Sequence, residues 1–145
     1  MKPTYVVDAS VAVGWSVELP YSAACIRLLR ESGTLIAPDL LVSEVTNAFY
    51  LQIKTGLANR ERLADGLDLL PRWFAELVPS AMLRGRAFEL ALELNHPAYD
   101  CFYLALALNR DVRFVSADGH FLRKAIVAGY GNAVVHLEDF GKAEP

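Results

Sequence analysis

The sequence predicts an α/β fold: a single three-layer α/β/α domain on a mostly parallel central sheet of four to five strands. Three observations carry that reading. Short runs of β-formers (residues 5–7, 35–37, 77–78, 113–116 and 132–137) alternate with longer segments of helical periodicity. The first run is continuously apolar, as suits a strand buried on both faces of a parallel sheet. With 145 residues, 54% of them apolar, the chain is the size of one domain spanning 1–145, large enough to bury a core without disulfides.

Asp8 ends the first strand. A carboxylate at that carboxyl end sits where open α/β sheets place their ligands, and Ser10, two residues on, points roughly the same way. Taken alone, Asp8 reads equally well as a helix cap. Residues 9–15 form a short helical turn. Pro20 suits the first turn of a helix running to about Ser32, with Ala24, Cys25, Leu28 and Leu29 on its buried side. Gly33 ends that helix, residues 35–37 are the second strand, and Pro38-Asp39 opens the next element. Leu41, Val45, Ala48, Phe49 and Gln52 mark a helix to Thr55, closed by Gly56. Within it, Glu44 and Asn47 are three apart and share a face.

Asn59 or Arg60 starts another helix through Leu63, Leu67 and Leu70, which Pro71 ends or interrupts. Leu57 and residues 63–74 alternatively pack on a second subunit. After the strand at 77–78, Ser80 caps a helix to Leu94, and His96-Pro97 breaks it. Pro97 opens a helix so rich in Ala and Leu that it must be nearly buried, with Asp100 its one carboxylate near the amino end. The strand Arg113–Ser116 leads into Ser116-Ala117-Asp118, a second hydroxyl and acid pair at a strand end after Asp8-Ala9-Ser10. Gly119 allows a tight turn. A helix over 121–128 ends at Gly129, residues 132–137 are the last strand, and 138–145 are a polar tail.

Charge and composition exclude several classes. With 14 Lys and Arg against 17 acids, the net charge of −3 is not that of a protein that clings to nucleic acid by bulk charge. The pairs Arg60/Arg62, Arg84/Arg86 and Arg123/Lys124 could supply a local basic patch, although most read as solvated helix faces. Cys25 and Cys101 are isolated in apolar helical contexts and are expected to be buried free thiols. His96, His120 and His136 form no metal-ligand spacing. The uncharged run 9–17 is too short to span a bilayer and no signal-peptide core is visible, so a cytoplasmic protein is expected.

Each remaining acid is singly a cap or a surface ion pair; together they suggest more. A buried carboxylate costs several kcal/mol unless it is paired, hydrogen-bonded or coordinated, so Asp100 needs a partner. Asp8 and Asp118 follow strands, and Glu44 and Asp100 lie on helices that start near the same sheet edge. Four acids meeting there must hold protons or bind cations. Hard oxygen ligands with no His or Cys nearby select Mg²⁺ or Mn²⁺. One or two such ions, left partly hydrated, suit phosphodiester hydrolysis.

The ordered set Val6-Val7-Asp8-Ala9-Ser10, Pro38-Asp39-Leu40 leading to Glu44 and Asn47, Tyr99-Asp100 followed by Leu104-Ala105, and Phe114-Val115-Ser116-Ala117-Asp118 resembles a PIN domain. The resemblance is strongest to the VapC ribonuclease toxins of bacterial and archaeal toxin-antitoxin pairs. It implies Mg²⁺- or Mn²⁺-dependent cleavage of RNA, a homodimer, and inhibition by a small cognate antitoxin. Asp8, Glu44, Asp100 and Asp118 would be the catalytic quartet. Asp8, Asp100 and Asp118 would hold the metal directly or through water, with Glu44 ligating or orienting the attacking water. Ser10 and Ser116 would be supporting hydroxyls and Asn47 a polar neighbour. Some relatives carry a further acid or amide after the fourth position, where Gly119, His120 and Phe121 stand here. That departure bears on a second metal, and His120 is a candidate phosphate contact instead. An antitoxin segment is expected in an apolar groove beside residues 41–70, with a basic side chain entering the acid pocket. The alternatives are an RNA-maturation nuclease and a PIN-like module that binds RNA or protein without cutting.

Overall fold

The computed structural model describes residues 3–142. Its strands β1 (Thr4–Val7), β2 (Thr34–Pro38), β3 (Glu76–Val78), β4 (Arg113–Ser116) and β5 (Val134–His136) form one all-parallel sheet in the order β3-β2-β1-β4-β5. The chain builds outward from β1 to β2 and β3, then returns to the other side of β1 for β4. Strand order therefore reverses between β1 and β4, and the crevice at their carboxyl ends is where such sheets bind ligands. Val7 pairs with Val115, which sets Asp8 beside Ser116.

Helices α1 (Ala9–Val13) and α2 (Ser22–Glu31) join β1 to β2, and α3 (Leu40–Lys54) and α4 (Arg60–Leu69) join β2 to β3. Helices α5 (Ser80–Leu94) and α6 (Ala98–Arg110) join β3 to β4, and α7 (Gly119–Ala125) leads toward β5. Right-handed crossovers place α1 to α4 on one face and α5 to α7 on the other. The packing follows that division: α1 touches α2 and α3, and α6 lies on α5 and across β1, β2 and β4. Helix α6 buries Cys101 and every residue from Tyr103 to Ala107, so it is apolar nearly all round. Tyr103 stacks on Phe114 of β4 with ring centroids 5.5 Å apart, and Phe121 of α7 closes on the same ring at 6.1 Å.

Several boundaries differ from the sequence reading for identifiable reasons. Helix α2 starts at Ser22, not at Pro20, because the Ser22 hydroxyl accepts from the Leu19 amide at 2.7 Å and donates to the Val17 carbonyl at 2.8 Å, which closes the loop. Ser80 is the first residue of α5, not its cap. The capping oxygen comes from Asp39 at the end of β2, whose Oδ1 accepts from the Ser80 amide at 2.9 Å and hydroxyl at 2.5 Å. Those bonds hold the Asp39 carboxyl below its ordinary value. Helix α7 ends at Ala125, and a wider turn over Ile126–Tyr130 closes on Gly129, whose φ of 100° suits glycine.

The last strand is shorter than expected and is flanked by 3₁₀ turns at Gly131–Ala133 and Leu137–Asp139. The supposed polar tail packs back: Phe140 is buried edge-on against Tyr5 at 5.2 Å, and Arg27 donates to its carbonyl at 2.9 Å. Positions 143–145 of that tail lie outside the described residues. Leu63, Leu70 and Phe74 are buried in this chain's own core, so of the segment expected to meet a second subunit they are unavailable, while Leu57 is exposed. No helix among the described residues is long and apolar enough to cross a membrane.

The end of α1 is set by a close approach. A Cβ at Gly14 would lie 2.5 Å from Cys25 Sγ and 3.0 Å from its Cβ. Cys25 is buried, and that burial pushes its thiol up to about 12, so it packs as a neutral apolar group. Gly14→Ala is expected to cost about 1–3 kcal/mol by overpacking. Urea unfolding checks this; an unchanged midpoint would show that α1 and α2 can part freely.

Candidate active site

The end of β1 delivers Asp8, which is 6% exposed, to the crevice. Its Oδ1 caps α1 by accepting from the Val11 amide at 3.2 Å and also accepts from the Ser10 hydroxyl at 2.6 Å. Its Oδ2 accepts from the Ser116 hydroxyl at 2.5 Å. The cap and the site acid are thus one group. Ser116 is itself buried, and its Oγ accepts from the Asp118 amide at 3.0 Å. Asp118 is exposed and caps α7, with Oδ1 accepting from the Phe121 amide at 3.2 Å.

Glu44 enters from α3 on the opposite helical layer and is half-buried. The Tyr103 hydroxyl, from α6, donates to its Oε1 at 2.6 Å. Asp100, in the first turn of α6, has its Oδ2 2.7 Å from His96 Nε2. Asn47 is exposed on α3, and its side chain makes no hydrogen bond among the described residues. His120 is exposed on α7, its ring 6.0 Å from that of His96.

Electrostatics tie these groups together. Burial raises the Asp8 carboxyl above its ordinary value and the charge of Asp100 adds to that, while the Ser10, Ser116 and Val11 hydrogen bonds pull the other way. Burial likewise raises Glu44, assisted by the charges of Asp8 and Asp100 and opposed by the Tyr103 bond. Tyr103 is pushed far up, first by burial and then by Glu44, so its hydroxyl stays a donor. Asp118 joins through Asp100, because ligand atoms of His96, Asp100 and Asp118 all lie within 4.8 Å of one another. Asp100 is common to both groupings.

The expectation that no histidine lies nearby is corrected by His96. It precedes Asp100 by four residues, the spacing that brings side chains together along a helix. The Pro97 break between them hid it. Tyr103 and Lys124 were also missed; Tyr103 follows Asp100 by three, and a buried phenol needing a partner was the available signal. The donor set is rich in hard carboxylate oxygens whose mutual repulsion a divalent cation would relieve, which fits Mg²⁺ or Mn²⁺. Asp100 and Asp118, with Asp8 behind them, could hold such an ion.

A family model described as PIN domain matches residues 5–127. Among solved structures, the crystal structure of PAE2754 from Pyrobaculum aerophilum is similar, with a TM-score of 0.68 and 20% sequence identity over 94% of this chain and 85% of that one. At that identity the likeness is one of fold. No curated protein matches the sequence significantly.

The two raised carboxyls fix the sign of a pH effect. The folded state binds their protons more tightly than the unfolded state, so without divalent cations stability falls as the pH rises from about 4 through the raised values. Asp8→Asn keeps a good cap and removes the buried charge. It is expected to raise the melting temperature at pH 7 in chelator by about 2–5 °C. Thermal melts of both proteins across pH 4 to 8 check this; a lower melting point for the variant would show that the charge is well solvated.

Proposed function

The chain belongs to the PIN domain family, whose members are generally metal-dependent nucleases, and on that premise we propose that it is a Mg²⁺- or Mn²⁺-dependent ribonuclease. The observation that carries the reading is the delivery of Asp8, Glu44, Asp100 and Asp118 by four separate segments to one sheet edge, with the charges of Asp8, Glu44 and Asp100 in mutual reach and Asp118 beside Asp100. Asp8, Asp100 and Asp118 would hold the ion. When bound, it lowers the pKa of a coordinated water and neutralises charge on the departing oxygen of the phosphodiester.

The chain's own groups supply the rest. Glu44, whose carboxyl burial raises above its ordinary value, is the base that takes the water's proton. Tyr103 fixes one of its oxygens and leaves the other for that task. Ser10 and Ser116 keep Asp8 aimed from the strand ends. Beside Asp118, a groove lined by Gly119, Arg123 and His136, with Lys142 paired to Asp139 at 3.6 Å, offers cationic and N–H donors to the phosphates flanking the scissile bond. His136 Nδ1 accepts from the Glu138 amide at 3.1 Å, which leaves Nε2–H to donate. This local patch answers the net charge of −3.

A toxin regulated by an antitoxin is our finer reading, with a homodimer as its assembly. The groove expected beside residues 41–70 is narrower in choice than the sequence suggests, since Leu41, Val45, Leu63 and Leu70 are all buried. Val42, Tyr50, Leu51, Ile53, Leu57 and Leu69 are the large exposed apolar side chains of that region, and they support an amphipathic partner segment there. An RNA-maturation role would use the same chemistry on another substrate.

Two outcomes test these readings. Asp100→Asn and Asp8→Asn should each lower Mn²⁺-dependent RNA cleavage more than about 100-fold with unchanged circular dichroism; undiminished turnover would reject the site. Leu57→Asp together with Tyr50→Asp should abolish co-purification of a co-expressed small protein encoded beside this chain and leave RNA cleavage intact. Co-purification that survives both charges would move the partner to another face.

A further inference from the structure

His96 has its nitrogens close enough to Asp100 and Asp118 to look like a third ligand. We propose instead that it is a positioning residue, its ring held between Phe121 and Lys124, that donates to Asp100 from behind while the cation is bound by oxygen alone. This rests on the metal-dependent reading above and adds the role of a residue that reading leaves unassigned.

The argument starts from what each group can donate. The Lys124 ammonium has hydrogens and no lone pair, and its Nζ lies 3.3 Å from His96 Nδ1. Nδ1 must therefore be the accepting nitrogen. Nε2 then carries the ring hydrogen, and it lies 2.7 Å from Asp100 Oδ2, which accepts it. Neither nitrogen has a lone pair to spare: one faces Lys124 and the other carries a hydrogen committed to Asp100. Coordination needs such a lone pair.

The surroundings hold the ring in that pose. The His96 side chain is 9% exposed and packs on Phe121 with ring centroids 4.9 Å apart. Lys124 is anchored in turn, donating to the Asn95 carbonyl at 2.9 Å where α5 ends in a left-handed residue. Helix α7 thus grips the corner between α5 and α6, and the corner grips Asp100. With Oδ2 held by His96, Oδ1 of Asp100 is left for the cation, and a carboxylate oxygen of Asp118 lies within 4.8 Å of one on Asp100. A ligand's outer hydrogen bond commonly governs its orientation and basicity.

Two measurements on the full chain test this. Nitrogen-15 NMR of the wild-type ring should show a hydrogen on Nε2 that persists when Mg²⁺ is added; an Nε2 without a hydrogen, or a shift diagnostic of coordination, overturns the proposal. Calorimetric titration with Mn²⁺ should give His96→Gln, which retains an N–H for Asp100, an affinity within about threefold of wild type, and His96→Ala one weaker by about tenfold or more. Equal loss in both variants would make His96 a ligand and overturn the proposal. Equal retention in both would show that Asp100 needs no support and would also overturn it. If wild type binds Mn²⁺, Asp100→Asn does not, and the His96 results fail, only this inference falls; if wild type binds no Mn²⁺, both readings fall.

Discussion

A carboxylate held nearly out of water at the end of the central strand is the constraint on which the rest depends. At 6% exposure, the charge on Asp8 would cost several kcal/mol without donors. Three donors meet it, and one of them, Ser116, belongs to a different strand. That donor arrives only because β1 and β4 pair with Val7 beside Val115. A slip of one residue would turn the Ser116 side chain to the opposite face of the sheet. Sheet register, set by a dry apolar core, therefore fixes the chemistry at its edge.

Much of this was legible in the sequence, because parallel strands and buried helices announce themselves by composition. The mostly parallel sheet and the acids at the ends of β1 and β4 follow from apolar runs that stop at Asp8-Ala9-Ser10 and Ser116-Ala117-Asp118. What escaped were contacts between segments far apart. Tyr103 and Glu44 are 59 residues apart, and Asp39 and Ser80 are 41 apart. No periodicity encodes such a pairing; only the folded layers bring the partners together. His96 was hidden differently, since the turn that separates it from α6 still keeps it within one helical step of Asp100. Phe140 was lost in a charged tail because a single aromatic carries no pattern.

The site spreads its electrostatic burden across the fold. Strand ends hold Asp8 and Asp118, and helices from both layers bring Glu44 and Asp100, so no single loop carries the repulsion among them. Lys124 places a positive charge beside these acids without neutralising any of them directly, its contacts being the Asn95 carbonyl and His96. Rigid elements with locked side chains keep reacting groups in place better than mobile loops do.

Helix α6 carries both Asp100 and Tyr103, one helical turn apart, and Tyr103 clamps the acid that comes from the other layer. One rod therefore sets the position of two acids. A drift of α6 along the sheet by a fraction of an ångström would change the gaps around both of them in concert. The fully buried Leu104, Leu106 and Ala107 hold that rod in place. They act as the calliper of the crevice, so that the spacing of its acids is written partly in aliphatic residues of the core.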